Sequence, residues 1–183
     1  MKSPLGLKRG AVHLETYNPV WHEIFEEEKL ALRQILGDKF IAAEHVGSTA
    51  IPGIKAKPIL DLMIAIRNLD DWEWIQEPLT RLGYEFRRDS REEQGHILFV
   101  KGPEENRTHY LKVAELDSDF WAEHVLFRDY LLRNPKYIAE YQSIKEQLLD
   151  EHKGNREPYT KGKEKFIRKI LDLAGFRKKQ LNH

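Results

Sequence analysis

Residues 44–66, EHVGSTAIPGIKAKPILDLMIAI, decide how this chain is read. They predict a strand running into a Gly47-Ser48 turn, a loop carrying Pro52, Gly53 and Lys57, and a second strand bearing Asp61. Such a turn combines backbone N–H donors with a hydroxyl, at a glycine that lets a ligand approach closely, which suits a phosphate. The same pair also fits an ordinary strand-to-helix turn capped by Ser48 or Thr49. Asp61 stands between Leu60 and Leu62, with Ile59, Ile64 and Ile66 beyond. A carboxylate in an apolar run needs a partner, because an unpaired buried charge is costly. Lys57 or Arg107 could pair with it, or it could hold a divalent cation through oxygen.

Outward from this stretch, Phe40 to Val46 and Pro58 to Ile66 read as strands, the second apolar enough for the centre of a sheet. Upstream, residues 1–10 read as a loose arm and Val12 to Leu14 as a short strand. Asn18-Pro19 opens a helix that Gly37 stops, and Glu26, Glu27 and Glu28 form its solvated acidic run. Downstream, Asp70 or Asp71 caps a helix lined by Trp72, Ile75, Leu79 and Leu82. Strands at 84–87 and 96–101 flank the charged loop DSREEQG, and residues 108–115 form a further strand. In that strand His109, Leu111 and Val113 alternate with Tyr110, Lys112 and Ala114. From Ser118 the pattern is helical, with one helix capped by Asp117 or Ser118, a second opening at Asn134-Pro135 and a third at Glu157-Pro158. The expected class is α+β: a mixed β-sheet flanked by helices, with a helical C-terminal region.

The 183 residues suit one domain, and 40% hydrophobic with 33% charged residues is a globular composition. Thirty basic residues balance thirty acidic ones, so general nucleic-acid binding is not expected, although a local basic pocket is compatible with the balance. The absence of cysteine excludes disulfides, thiolate metal sites and cysteine nucleophiles. No apolar run approaches membrane-spanning length and the N-terminus lacks a signal-like core, so a cytoplasmic protein is expected, with its oligomeric state open.

The run EHVGSTAIPGIKAKPILDL resembles the signature of the GrpB family, as do RTHYLKV at 107–113, FRDYLLRNP at 127–135, Tyr159 with Lys163 and Phe166, and VHLETYNPVWHEIFEEEK near the N-terminus. The resemblance covers residues 11 to about 173. It implies a single GrpB-like domain over 1–183, with a nucleotidyltransferase-like core at 11–116 and a helical region at 117–177. Members are placed among polymerase-β-like nucleotidyltransferases, whose two-metal chemistry uses a Gly-Ser turn, an Asp-x-Asp/Glu strand and a later acidic residue. Val46-Gly47-Ser48 and Asp61 match that pattern, whereas the second acidic position is Met63 and the later strand has no carboxylate before Glu115.

The resemblance therefore implies a nucleotide-binding protein, with metal-dependent nucleotidyl transfer to a small acceptor as its activity and Asp61 as the catalytic ligand. Glu44, His45 and His109 would complete a shell for Mg2+ or Mn2+ around Asp61, and His96 is a further imidazole. Each histidine also reads as a satisfied structural residue, and His45, His109 and Asp61 together would suit a metal-dependent hydrolase. Gly47, Ser48, Thr49, Lys57, Arg107, Lys112, Tyr159 and Lys163 would contact a nucleoside triphosphate or another phosphorylated small molecule. Lys161 lies beside them at a helix start, where anions are favoured. Arg128 reads as a partner of Asp129, or as reaching the pocket. Met63 motivates the alternative: a catalytically silent relative that binds a phosphorylated metabolite or a protein partner.

Overall fold

The computed structural model describes residues 4–87 and 95–178. Its centre is a five-stranded sheet formed by β1 (Ala42–Val46), β2 (Leu60–Ile66), β3 (Tyr84–Arg87), β4 (Ile97–Lys101) and β5 (His109–Glu115), in the order β1-β2-β5-β4-β3. Only β2 and β5 run parallel, and the other neighbours are antiparallel. The apolar run LDLMIAI of β2 is covered on both faces, as its composition predicts. The charged segment 89–95 lies, apart from Gly95, outside the described residues.

Helices α1 (Val20–Leu36) and α2 (Glu73–Arg81) cover one face. Trp21, Phe25, Leu32 and Leu36 form the buried stripe of α1 and join Leu60, Leu62, Ile64, Leu111, Val113 and Phe99 in the main core. Asn18 accepts the Val20 N–H at 3.1 Å, and the helix ends at Gly37. Asn68, rather than Asp70 or Asp71, caps the turn leading to α2, since its side chain accepts the Asp70 N–H at 3.0 Å. The acidic run of α1 is not wholly solvated. Glu28 is buried and receives Lys101 Nζ at 2.8 and 3.0 Å, which compensates a carboxylate on the core side of the helix.

The other face is covered by α3 (Asp119–Arg133), α4 (Pro135–His152), α5 (Arg156–Gly162) and α6 (Glu164–Leu173). Ser118 caps α3 by accepting the Trp121 N–H at 3.2 Å, and Pro135 opens α4. Where one helix was expected after Glu157-Pro158, two stand, with Asn155 as the cap of α5. Ile51 and Ile54, from the loop after Gly47, are buried among Leu131, Tyr141, Phe166 and Ile170. The loop that makes the Gly-Ser turn is thereby locked into the helical layer.

The N-terminal segment is not a loose arm from residue 4 onward. Leu5 is buried in the main core, Leu7 exchanges backbone hydrogen bonds with Arg107 at 3.0 and 2.8 Å, and Trp21 donates to the Pro4 carbonyl at 3.1 Å. Val12 to Leu14 do not form a strand; isolated bridges from Ala11 to Asn155 and from Glu15 to Ala56 flank them. No helix among the described residues is long and apolar enough to cross a membrane.

Candidate functional site

Strand alternation sorts the candidate residues before any side chain is considered. Val46 is in register with Asp61 and Tyr110, and Glu44 with Met63 and Lys112, so all six share the face toward α3–α6. His45 is in register with Leu62 and His109 with Leu60, which puts both histidines on the opposite face, against α1.

Between the sheet and the C-terminal helices lies a cleft of about 450 Å3. That is within the range of roughly 300–1,000 Å3 common for small-molecule sites. Gly47, Ser48, Thr49, Lys57, Asp61, Lys112, Tyr159 and Lys163 all line it. At the end of β1, Gly47 has φ +69°, and a Cβ there would lie 2.8 Å from Asp61 Oδ2 and 2.9 Å from Asp61 Cβ. Backbone conformation and space therefore both require glycine. Ser48 starts a single helical turn through Ala50, and the first amides of such a turn have no partner within it.

The cleft is strongly basic. Five cationic side chains line it, Lys57, Lys112, Lys145, Arg156 and Lys163, against two carboxylates, Asp61 and Glu123. Burial pushes Lys57 below its usual range, and the charges of Arg156 and Lys112 add to the effect while Asp61 opposes it. Burial, then the neighbouring Lys57, pushes Lys163 down to about 8, and burial takes Lys145 to about 7. Lys145 Nζ donates to Ser48 Oγ at 3.3 Å and to the Lys55 carbonyl, so a buried ammonium braces the Gly-Ser turn. Arg156 Nη1 donates to Tyr110 Oη at 3.1 Å, and Lys163 Nζ sits 4.7 Å over the Tyr159 ring. His96 and His124 flank Phe120, with ring centroids 4.0 and 4.3 Å from it, and line the same cavity. Burial takes His124 down to about 3, so it is neutral, and its Nδ1 stands 2.9 Å from the Phe120 carbonyl.

The expected metal shell does not assemble. His45 stacks on Phe25 at 5.0 Å, its Nε2 is 2.9 Å from Thr49 Oγ1, and burial lowers it to about 4. His109 Nδ1 is 2.8 Å from Thr108 Oγ1, its Nε2 is 4.0 Å from Glu28, and burial lowers it likewise to about 4. Glu44 is on the correct face but accepts Arg128 Nη1 at 2.6 Å, while Arg128 also donates to the His45 carbonyl at 2.8 Å. Met63 is fully buried with Val46, Ala65, Ala114 and Trp121. Beside Asp61 stands Lys112, with Nζ 3.6 Å from Oδ1. One carboxylate paired with an ammonium does not fit a two-ion centre, which needs several oxygen ligands around both ions. Among the described residues no three of His, Asp or Glu gather as a metal group. Arg107 also lies away from the cleft: its buried guanidinium donates to the Gly102 carbonyl and to Glu85 at 3.2 Å.

Lys145, Arg156, Tyr110, Glu123 and His124 line the cleft without having been singled out in the sequence. For Lys145 a signal existed. It follows Tyr141 by four residues and precedes Leu148 by three, so it lies on the apolar stripe of α4, where an unpaired lysine is expensive.

A family model described as GrpB protein matches residues 11–173. Over 172 residues the chain is 37% identical to the glutamate-rich protein GrpB of Alkalihalophilus pseudofirmus, covering 92% of this chain and 98% of that protein. It is 34% identical to the YqkA protein of Bacillus subtilis, covering 94% of this chain and 50% of that one. The crystal structure of conserved protein GrpB from Enterococcus faecalis superposes with a TM-score of 0.79 at 34% identity, covering 88% of this chain and 96% of that chain.

Proposed function

The chain belongs to the GrpB family, and on that footing we propose that its cleft binds a phosphorylated small molecule, a nucleoside triphosphate foremost. The observation that carries this reading is the excess of five cationic side chains over two carboxylates around the Gly47-Ser48 turn. Lysines held below their usual range by burial and by one another are stabilised when a polyanion enters among them. Charge-assisted hydrogen bonds from these ammonium groups, with the amides at the open end of the turn, are the interactions a triphosphate chain accepts best.

Nucleotidyl transfer assisted by Mg2+ or Mn2+ is the finer reading. Gly47, Ser48 and Asp61 support it, and the pairing of Asp61 with Lys112, with no group of three metal-ligating side chains among the described residues, speaks against it. We therefore favour binding without nucleotidyl transfer. The experiment is calorimetric titration with ATP, inorganic tripolyphosphate and adenosine. ATP and tripolyphosphate should bind and raise the melting temperature, adenosine should bind far more weakly, and Lys57→Ala with Lys163→Ala should remove the signal. Equal binding of adenosine and ATP, or no binding of any phosphorylated probe, would refute the reading.

A further inference from the structure

Asp61 is the residue from which a metal site would be built, yet its neighbour in the cleft is an ammonium. Lys112 projects from β5 onto the same face as Asp61 on β2, and the parallel pairing of these strands holds the two groups 3.6 Å apart. Asp61 is also the opposite charge that acts on Lys57 and Lys163, while Lys112 and Arg156 oppose both of them. One carboxylate is thus shared by three ammonium groups, with Arg156 adding a further positive charge nearby. A divalent ion at Asp61 would have to displace Lys112 and would add two further positive charges to a cluster already in excess. Among the described residues the other carboxylate lining the cleft is Glu123, which burial pushes above its usual range and so toward its neutral form, and the remaining candidates lie elsewhere. Glu44 is held by Arg128 at 2.6 Å, and Glu28 is held by Lys101 on the other side of the sheet.

We propose, resting on the phosphate-binding reading, that this cleft binds a polyphosphate chain without a divalent cation, with the Lys112 ammonium occupying the place beside Asp61 that a metal ion would take. Asp61 then acts as a positioning residue: its carboxylate holds the Lys112 ammonium by charge at 3.6 Å and so keeps its N–H donors available to phosphate oxygens. Lys57, Lys163 and Arg156 supply the remaining charge, and Lys145 holds the Ser48 turn in place. Lysine is a compact cation with three donors, so it can bridge a carboxylate and a phosphate as a metal does.

The test is calorimetric titration of the full chain with inorganic tripolyphosphate and with ATP, each in EDTA and in magnesium, with melting curves for every variant. Affinity for tripolyphosphate should be as high in EDTA as in magnesium. Lys112→Gln should weaken it about tenfold and Lys112→Arg much less. Asp61→Asn keeps an oxygen facing Lys112 while removing negative charge facing the ligand, so the affinity should be unchanged or raised. A metal site behaves in the opposite way: binding would require magnesium, and Asp61→Asn would abolish it. Either result would overturn the proposal. Should Lys112→Gln fail to fold, the EDTA comparison and Asp61→Asn still decide. Absence of binding under every condition would overturn the phosphate-binding reading itself, which separates the two failures.

Discussion

The two faces of the sheet carry different chemistry on the same strands. Toward α1 and α2, the β-strands present Leu60, Leu62, Ile64, Leu111 and Val113, and the charged group there, Glu28, is matched by Lys101. Toward α3–α6, alternate residues of the same strands present Asp61, Tyr110 and Lys112 to a cavity in which cations outnumber carboxylates. On one face the charges are paired internally, and on the other cationic side chains are in excess. The contrast teaches that a sheet built for stability on one side can hold a destabilising cluster on the other, as functional sites commonly do.

The comparison is most sharply tested where stability alone should respond. Leu111→Ala, at a fully buried core position, should cost about 2–5 kcal/mol in urea unfolding. Tripolyphosphate affinity of the folded fraction should not change. If affinity fell in parallel, the faces would not be independent. Next comes Gly47→Ala, which forces both a left-handed backbone and a Cβ against Asp61. It should cost about 1–3 kcal/mol and, unlike the core variant, weaken ligand binding at least tenfold.

Acid should distinguish the faces as well. Burial holds His45 and His109 at about 4, below the ordinary 6.5, so the stability they contribute is complete above pH 6.5 and is lost as pH falls through 4. Each contributes up to about 3 kcal/mol across that window, and His109→Gln should flatten the pH dependence of the urea midpoint. In the cleft the window lies higher. In the proposed phosphate site Lys163, at about 8, acts as an ammonium ion and Lys145, at about 7, braces the turn as one, so tripolyphosphate affinity should fall between pH 7 and 9. The free protein should meanwhile gain stability above pH 7, because the unfolded chain holds those protons up to about 10.5. The smallest expected change in stability is that of Lys163→Met, which removes a partly desolvated charge. The unfolding free energy should be unchanged or raised by up to about 1 kcal/mol, while tripolyphosphate affinity drops about tenfold. A Lys163→Met variant that bound normally would remove this lysine from the cleft's function.

Much of the fold could be read from periodicity and caps. The apolar run of β2, the alternation in β5, the Ser118 cap and the Asn134-Pro135 helix start are local features, and local chemistry decides them. Gly47, Ser48, Lys57, Asp61 and Lys112 were also legible as a group, because they lie on two strands and the connection between them, or on the adjoining strand. The failure with His45 and His109 is instructive. The alternation that puts Lys112 and Tyr110 on one face puts His109 on the other, so a metal shell containing His109 together with Asp61 required a register that the chosen strand pattern excludes.

What the sequence by itself determined, then, is most of the elements, the Gly-Ser turn and the single carboxylate beside it, since each depends on residues within a few positions of one another. Only the tertiary structure decided which charges meet. Arg128 reaches Glu44 across 84 positions, Lys145 reaches Ser48 across 97, and Lys112 reaches Asp61 because two strands distant in the chain pair in parallel. Charge is carried by the residue, but its partner is set by packing, and the partner is what turned an expected metal site into a lysine-lined cleft.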